Sequence, residues 1–218
     1  MSISRVYIDI EYDYKWNIIE FAAVEVKNEQ IKSILHRFVL PQKHMLWYTH
    51  EKYAKYSNCI PRHVIKEQGI KLSQLQDEFK IFLNEIVSTK IIIKGHGADV
   101  DEPTLKQKFP FLSTKDLVYM QVNLPPWKER KYGVYHIATH YMKQFSRIMP
   151  CLCENHSLPF KFSDKINHSR ISKNFYGFHC ALFDSIELAF YEQYLPLYQC
   201  DECFKSVFDS NFLVFEYV

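Results

Sequence analysis

The first forty residues alternate apolar runs with short polar breaks, which predicts three consecutive β-strands. The runs cover residues 6–11, 18–26 and 31–40, and the third stops at Pro41. They carry many β-branched and aromatic side chains, which are typical of strands. We expect these strands to form a meander that opens the fold. Residues 41–70 are rich in Tyr, His and Lys and are predicted to be irregular.

Helical periodicity begins after the irregular segment. We predict a helix with Ser73 as its N-cap, because five apolar residues recur there at helical spacing. These residues are Leu75, Phe79, Phe82, Leu83 and Ile86. The apolar run 91–93 predicts a short buried strand, and Pro103 marks the place where the next helix begins.

The second half of the chain predicts a strand at 117–119 and helices at 133–146 and 180–194. Residues 147–178 have no sustained period and are interpreted as an inserted loop. Strands followed by alternating helices and strands predict an α/β fold, in which helices flank a mixed β-sheet. This order is consistent with a ribonuclease-H-like layout. No repeat or linker divides the chain, so residues 1–218 are expected to form a single domain.

Composition and charge restrict the functional classes. The 27 Lys and Arg residues exceed the 25 Asp and Glu residues by two, so a strongly basic nucleic-acid binder of the histone kind is excluded. No apolar run reaches the roughly 18 residues that a membrane span needs. Arg5, Asp9 and Glu11 interrupt the segment where a secretory signal would be apolar. We therefore expect an intracellular protein, cytoplasmic or nuclear, whose six cysteines are thiols or metal ligands.

Asp9 and Glu11 are the first candidate functional residues. They are two positions apart on a predicted strand, so their side chains point to the same face of the sheet. Two neighbouring acids in an apolar strand repel each other and lose solvation, which favours a bound cation between them. The alternative is that the strand ends at Asp9 and leaves Glu11 in solvent.

Two further acidic candidates lie at the ends of predicted elements. Asp99 and Asp101 follow the strand at 91–93, at the carboxyl end where ligands collect. His179 and Asp184 stand at the start of the last helix, with His179 on the preceding loop and Asp184 inside the first turns. The alternative is a capping His179 and a solvated Asp184.

The order of these motifs resembles the DEDDh family of 3′→5′ exonucleases. D-x-E is followed by H-x-A-x-x-D in HGADVD and again in HCALFD, and IIEFAAV resembles the second strand of that family. The resemblance covers roughly residues 5–195 and implies a ribonuclease-H-like, DEDDh exonuclease-like topology. Carried over by position, it implies that Asp9, Glu11, Asp101 and Asp184 are ligands of Mg²⁺ or Mn²⁺. It also implies that His179 is the general base.

Asp101 aligns with the acid of the family better than Asp99 does. It is the sixth residue of HGADVD, and Leu105 then falls on the family's apolar position. Residues 12–14 depart from the threonines and glycine that usually follow D-x-E. Four carboxylates can hold two hard cations about 3.5–4 Å apart for phosphodiester hydrolysis. A near-neutral histidine such as His179 suits the role of general base.

A second set of motifs contains sulfur and histidine ligands. Cys153 and His156 form C-x2-H, a spacing that lets both reach one Zn²⁺. With I-E-F at 19–21 and C-A-L opening the last helix, the set is similar to the Maelstrom domain, a ribonuclease-H-like module of small-RNA silencing with a Glu-Cys-His-Cys zinc site. The resemblance implies a structural Zn²⁺ held by Glu20, Cys153, His156 and Cys180.

Other interpretations of these cysteines stay open. Cys200 and Cys203 form a C-x2-C pair that could supply two thiolates instead, or they are free thiols. Cys180 could be a small buried apolar residue at the start of a helix.

Basic residues next to aromatic residues are candidates for contacts with nucleic acid, because phosphates pair with cations and bases stack on rings. Predicted substrate-binding residues are Trp127, Lys131, Arg170 and Lys173. The motifs together predict a metal-dependent 3′→5′ exonuclease acting on single-stranded RNA or DNA. One alternative is a non-catalytic, Maelstrom-like zinc module that binds nucleic acid or protein in small-RNA silencing. A weaker alternative is an interaction scaffold that uses the aromatic segment 41–70.

Overall fold

The architecture is a six-stranded mixed β-sheet with helices on both faces. A computed structural model describes the following residues: 3–28, 30–41, 49, 60–96, 99–113, 117–121, 161–162 and 181–193. The predicted α/β fold with a mixed sheet and flanking helices is therefore confirmed. In the part of the chain that is described, no helix has the length and apolarity needed to span a membrane.

The three N-terminal strands form the predicted meander. They are β1 (Ile3–Tyr12), β2 (Ile18–Lys27) and β3 (Gln30–Phe38). Successive strands pair antiparallel, with Asp9 opposite Ala22 and Glu11 opposite Glu20. The β1–β2 register shifts at Glu11/Tyr12, at the end of the strand that carries the D-x-E motif. Such a bulge bends a strand and redirects its side chains.

Two parallel strands extend the sheet beyond β1, and one short strand extends it beyond β3. They are β4 (Lys90–Gly95), β5 (Leu117–Gln121) and β6 (Lys161–Phe162). The strand order is β5-β4-β1-β2-β3-β6, and only β2 runs against the others. Strand β6 lies within the predicted loop 147–178, whose remaining residues are outside the described part of the chain, as is the predicted helix 133–146.

The described helices and a short 3-10 turn connect these strands. The helices are α1 (Arg62–Gln68), α2 (Leu72–Asn84), α3 (Asp101–Lys108) and α4 (Ala181–Gln193), and the 3-10 turn is Pro110–Ser113. Pro103 falls on the third residue of α3, two residues after the helix begins. The helix predicted at 180–194 is confirmed by α4.

Two local predictions were wrong. Residues 62–68 are helical and not irregular, because Val64 and Ile65 are buried against Phe38 and Ile19 of the sheet. Tertiary packing therefore stabilises a helix that is too short to be stable by itself. Ser73 does not cap α2, since that helix begins one residue earlier and its N-cap, Lys71, makes no side-chain capping bond.

The two faces of the sheet differ in chemistry. Even-numbered residues of β1 point to an apolar core against α2, where Phe79 contacts Phe21 and Phe109 with ring centroids 4.9 and 5.4 Å apart. Odd-numbered residues of β1, which include the two acids, point to α4 on the other face. One face therefore carries the aromatic core, and the other face carries the acids together with the apolar contacts of α4.

We predict that Phe79→Ala lowers the free energy of unfolding by about 3–5 kcal/mol, because it opens a cavity in the aromatic core. Urea denaturation followed by circular dichroism measures the change. Ile81→Ala on the same helix is the control, since Ile81 is 49% exposed, and we expect a change within about 0.5 kcal/mol. Equal effects of the two substitutions would contradict this assignment of the core.

Candidate metal centre

Strand β1 presents Asp9 and Glu11 on the face that α4 covers. Their side chains alternate with the buried Ile8 and Ile10, which point to the opposite core. Both acids are half-buried. The alternative in which Glu11 extends into solvent beyond the end of the strand is therefore excluded, because β1 continues to Tyr12.

Helix α4 brings a third carboxylate to this strand. Leu182, Ile186 and Ala189 are buried, and the buried Ser185 hydroxyl donates to the Ala22 carbonyl at 3.5 Å. The small side chain of Ala22, which is paired with Asp9 in the sheet, leaves room for this approach. Asp184 thus faces β1, and one oxygen from each of Asp9, Glu11 and Asp184 lies within 4.8 Å of the other two. Asp184 is not a solvated helix charge.

Asp101 lies beside this group of three but is held separately. It is buried in the first turn of α3, and Oδ1 accepts a hydrogen bond of 2.9 Å from the Tyr12 hydroxyl. It is close enough for its charge to act on Asp9 and Glu11. Asp99, in contrast, is exposed. Of the two acids after β4, only Asp101 is thus directed at the cluster.

Burial and mutual repulsion shape the charge of the cluster. Burial raises the pKa of Asp9 well above its usual value, and the Asp184, Glu11, Asp101 and Glu20 carboxylates raise it further. Burial also raises the pKa of Glu11, with Glu20 and Asp184 as the next causes. The pKa of Tyr12 is raised by burial and by Asp101, so its hydroxyl stays protonated and continues to donate.

The chemistry of this donor set fits a hard divalent cation. Carboxylate oxygens are the preferred protein ligands of Mg²⁺ and Mn²⁺. A cation would also relieve the repulsion that raises the pKa of Asp9 and Glu11. Acidic residues at this density on an otherwise buried face are costly without such compensation.

Glu20, the predicted zinc ligand on β2, is buried next to the cluster with both carboxylate oxygens in hydrogen bonds. His36 Nε2–H donates to Oε1 at 2.6 Å, and the Ala181 backbone N–H donates to Oε2 at 3.1 Å. Ala181 directly follows Cys180 in the chain. Cys180, Cys153 and His156 lie outside the described residues, so the zinc site stays a prediction.

Several other predicted residues also lie outside the described part of the chain. They are His179, Trp127, Lys131, Arg170, Lys173, Cys200 and Cys203. The general-base role of His179 and the predicted substrate contacts therefore stay predictions. The part of segment 41–70 that is described contributes α1, so the scaffold hypothesis for the remainder is untested.

Sequence reasoning missed two polar residues near the cluster and one at the far end of α4. Tyr12 was noted only as a departure from the family pattern, yet it holds Asp101. His36, a buried histidine in an apolar strand, pairs with Glu20. Lys94 was interpreted as the end of a strand, but it is buried and contacts Glu192 of α4. A charged residue within an apolar strand was the available signal for Lys94, because such a residue requires a partner.

The β1–β2 turn places an exposed aromatic ring against Tyr12. Trp16 is 65% exposed, has a left-handed backbone (φ 61°) and contacts the Tyr12 ring at 5.6 Å. The buried Asp13 carboxylate holds this turn by accepting hydrogen bonds from the backbone N–H groups of Lys15 and Asn17 and from the Asn17 side chain. These bonds offset the cost of the left-handed conformation.

No protein-family model matches the chain, and no curated protein matches its sequence. The resemblances to the DEDDh and Maelstrom families therefore depend on the short motifs described above.

We predict that Asp9→Asn stabilises the metal-free protein at pH 7.5. A carboxyl group whose pKa is raised by folding lowers the free energy of unfolding as pH rises through that pKa, so the gain should vanish near pH 4. Saturating Mn²⁺ should make the wild type more stable than Asp9→Asn, because a ligand at 100 times its Kd stabilises the wild type by about 2.7 kcal/mol.

Scanning calorimetry at both pH values, with EDTA or Mn²⁺, measures this effect. Asp77→Asn, an exposed acid on α2, is the control and should change neither pH dependence nor metal response. A metal-free Asp9→Asn protein less stable than the wild type at pH 7.5 would contradict the electrostatic account.

Proposed function

We propose that this protein is a metal-dependent 3′→5′ exonuclease that hydrolyses phosphodiester bonds of single-stranded RNA or DNA. The observation that carries the proposal is the convergence of Asp9, Glu11 and Asp184, whose oxygens lie within 4.8 Å of one another. The strand order, with β2 alone running against the other strands, supports the ribonuclease-H-like, DEDDh-like topology.

Asp9, Glu11 and Asp184 are the proposed ligands of Mg²⁺ or Mn²⁺, with Asp101 as the fourth carboxylate of the site. Two divalent cations, when bound, neutralise charge on the phosphodiester and make water a stronger nucleophile at neutral pH. The carboxylates must be ionised to act as ligands, and the raised pKa of Asp9 and Glu11 makes binding dependent on pH.

The other residues orient this site. The Tyr12 hydroxyl keeps its proton and donates a hydrogen bond to Asp101 Oδ1, which fixes the orientation of that carboxylate. His179, five residues before Asp184, is the proposed base that accepts a proton from the attacking water.

Two surface features favour a nucleic-acid substrate. Trp16 offers an exposed ring that contacts Tyr12, the residue that holds Asp101, and a base can stack on this ring. On the same face of the sheet, α1 carries Arg62, His63 and Lys66, which with Pro61 line an open cleft of about 490 Å³. Cations in a cleft attract a phosphate backbone.

We predict that the wild type shortens single strands stepwise from free 3′ ends in Mg²⁺, and not in EDTA. Asp184→Asn should reduce kcat/KM by roughly 100-fold or more, because a ligand of the reacting site is lost. Gel analysis of 5′-labelled RNA and DNA oligonucleotides, with free or blocked 3′ ends, measures the reaction. Asp99→Asn is the matched control and should retain activity, since Asp99 is exposed.

Three other results of this assay would each contradict one part of the proposal. Binding of the oligonucleotides without shortening would favour the non-catalytic module over the enzyme. Undiminished activity in Asp184→Asn would contradict the assignment of the metal site. Internal cleavage of strands with blocked ends would contradict the exonuclease mode.

We also predict that Trp16→Ala raises KM about tenfold and leaves kcat nearly unchanged, because stacking of one base contributes about 1–3 kcal/mol. Steady-state kinetics on a short single strand measures KM and kcat separately. Trp16→Phe, which keeps a ring, should lie close to the wild type. A large fall in kcat with constant KM would contradict a role in substrate binding.

A further inference from the structure

Three polar side chains join the far end of α4 to the sheet. Tyr7 and Lys94 are paired side by side on β1 and β4. The Tyr7 hydroxyl donates to Glu192 Oε2 at 2.6 Å, and Lys94 Nζ forms an ion pair with Glu192 Oε1. We call Tyr7, Lys94 and Glu192 the α4 clamp. Both carboxylate oxygens of Glu192 are thus held by the sheet, and they are held from two different strands.

Two of the three clamp side chains, those of Tyr7 and Lys94, are buried. Tyr7 is fully buried, and the Lys94 side chain is 8% exposed. A lysine at such a position requires an anionic partner, and Glu192 supplies it. Removing one member would leave a buried polar group unpaired and allow the helix end to shift.

The clamp and the carboxylate cluster lie at opposite ends of the same contact. Along β1 the order is Tyr7, Asp9 and Glu11, whereas Glu192 lies opposite Tyr7 and Asp184 lies opposite the acids. The helix therefore runs in the opposite direction to β1. Eight helical residues from Asp184 to Glu192 span about 12 Å, which matches the roughly 7–13 Å from Tyr7 to the two acids along the strand.

We propose that Glu192, held by Lys94 and Tyr7, is a positioning residue that fixes α4 along β1 and so sets the distance of Asp184 from Asp9 and Glu11. This inference rests on the proposed metal site. Repulsion among the three carboxylates pushes the first turn of α4 away from β1, and the clamp restrains the same rigid helix at its other end. Hydrogen-bond partners of metal ligands commonly change metal affinity by about 10–100-fold, and we expect a residue that acts through the helix to have an effect at the lower end of this range.

The test compares Glu192→Gln with Glu78→Gln. Glu78 forms an ion pair with Arg37 that joins α2 to the opposite face, and its exposure, 23%, is close to the 27% of Glu192. We expect Glu192→Gln to raise the Kd for Mn²⁺ about tenfold. At saturating Mn²⁺, kcat should return to nearly the wild-type value. Glu78→Gln should leave the Kd unchanged.

Isothermal titration with Mn²⁺ alone measures the Kd without any substrate, and circular dichroism verifies folding. If Glu192→Gln does not fold, Tyr7→Phe replaces it as the clamp variant, because it removes only one hydroxyl. We expect Tyr7→Phe to raise the Kd for Mn²⁺ by a smaller factor. An unchanged Kd in the folded clamp variants would overturn the inference, as would an equal increase in Glu78→Gln.

The metal-binding assay also separates this inference from the proposed hydrolysis. A wild type that binds Mn²⁺ but does not cleave nucleic acid would overturn the nuclease function, while the two Kd values still decide the role of the clamp. A wild type that binds no Mn²⁺ would overturn the metal site and the clamp together.

Discussion

The contact between α4 and β1 determines the chemistry of this protein, because it forces three carboxylates together against their mutual repulsion. Asp184 comes from the helix, and Asp9 and Glu11 come from the strand. Burial and repulsion raise the pKa of the two strand acids. Such a contact persists only if the rest of the fold stabilises it, and a divalent cation is the natural compensation.

The distribution of apolar residues explains how the fold stays stable despite the repulsion among the carboxylates. The aromatic core lies on the face of the sheet opposite α4, where Phe21, Phe79 and Phe109 pack together. On the acidic face, the apolar side of α4, the Ala22 surface and the clamp at Glu192 hold the helix in place. The separation lets one sheet support both a dense core and a repulsive site.

Local patterns predicted the parts of this arrangement that depend on neighbouring residues. The alternation in β1 placed Asp9 and Glu11 on one face, and the apolar periodicity of residues 180–194 predicted α4. The meander and the mixed sheet followed from the order of the elements. The resemblance of HGADVD to the DEDDh motif also favoured Asp101, which is buried, over the exposed Asp99.

Contacts between residues distant in the chain were not predictable in the same way. Tyr7, Lys94 and Glu192 come from three elements, and no local spacing connects them. The pairing of Glu20 with His36 likewise depends on the register of β2 and β3, which a single sequence does not specify. Helix α1 was missed because it is short and is stabilised by Phe38 and Ile19, which lie more than twenty residues away.

The most direct test of the central claim is a crystal structure of the protein grown with Mn²⁺ near neutral pH, with anomalous scattering recorded for manganese. We expect an anomalous peak between the carboxylates of Asp9, Glu11 and Asp184, with oxygen ligands at about 2.0–2.2 Å. If the three carboxylates are ordered but no manganese lies between them at millimolar Mn²⁺, the account is contradicted.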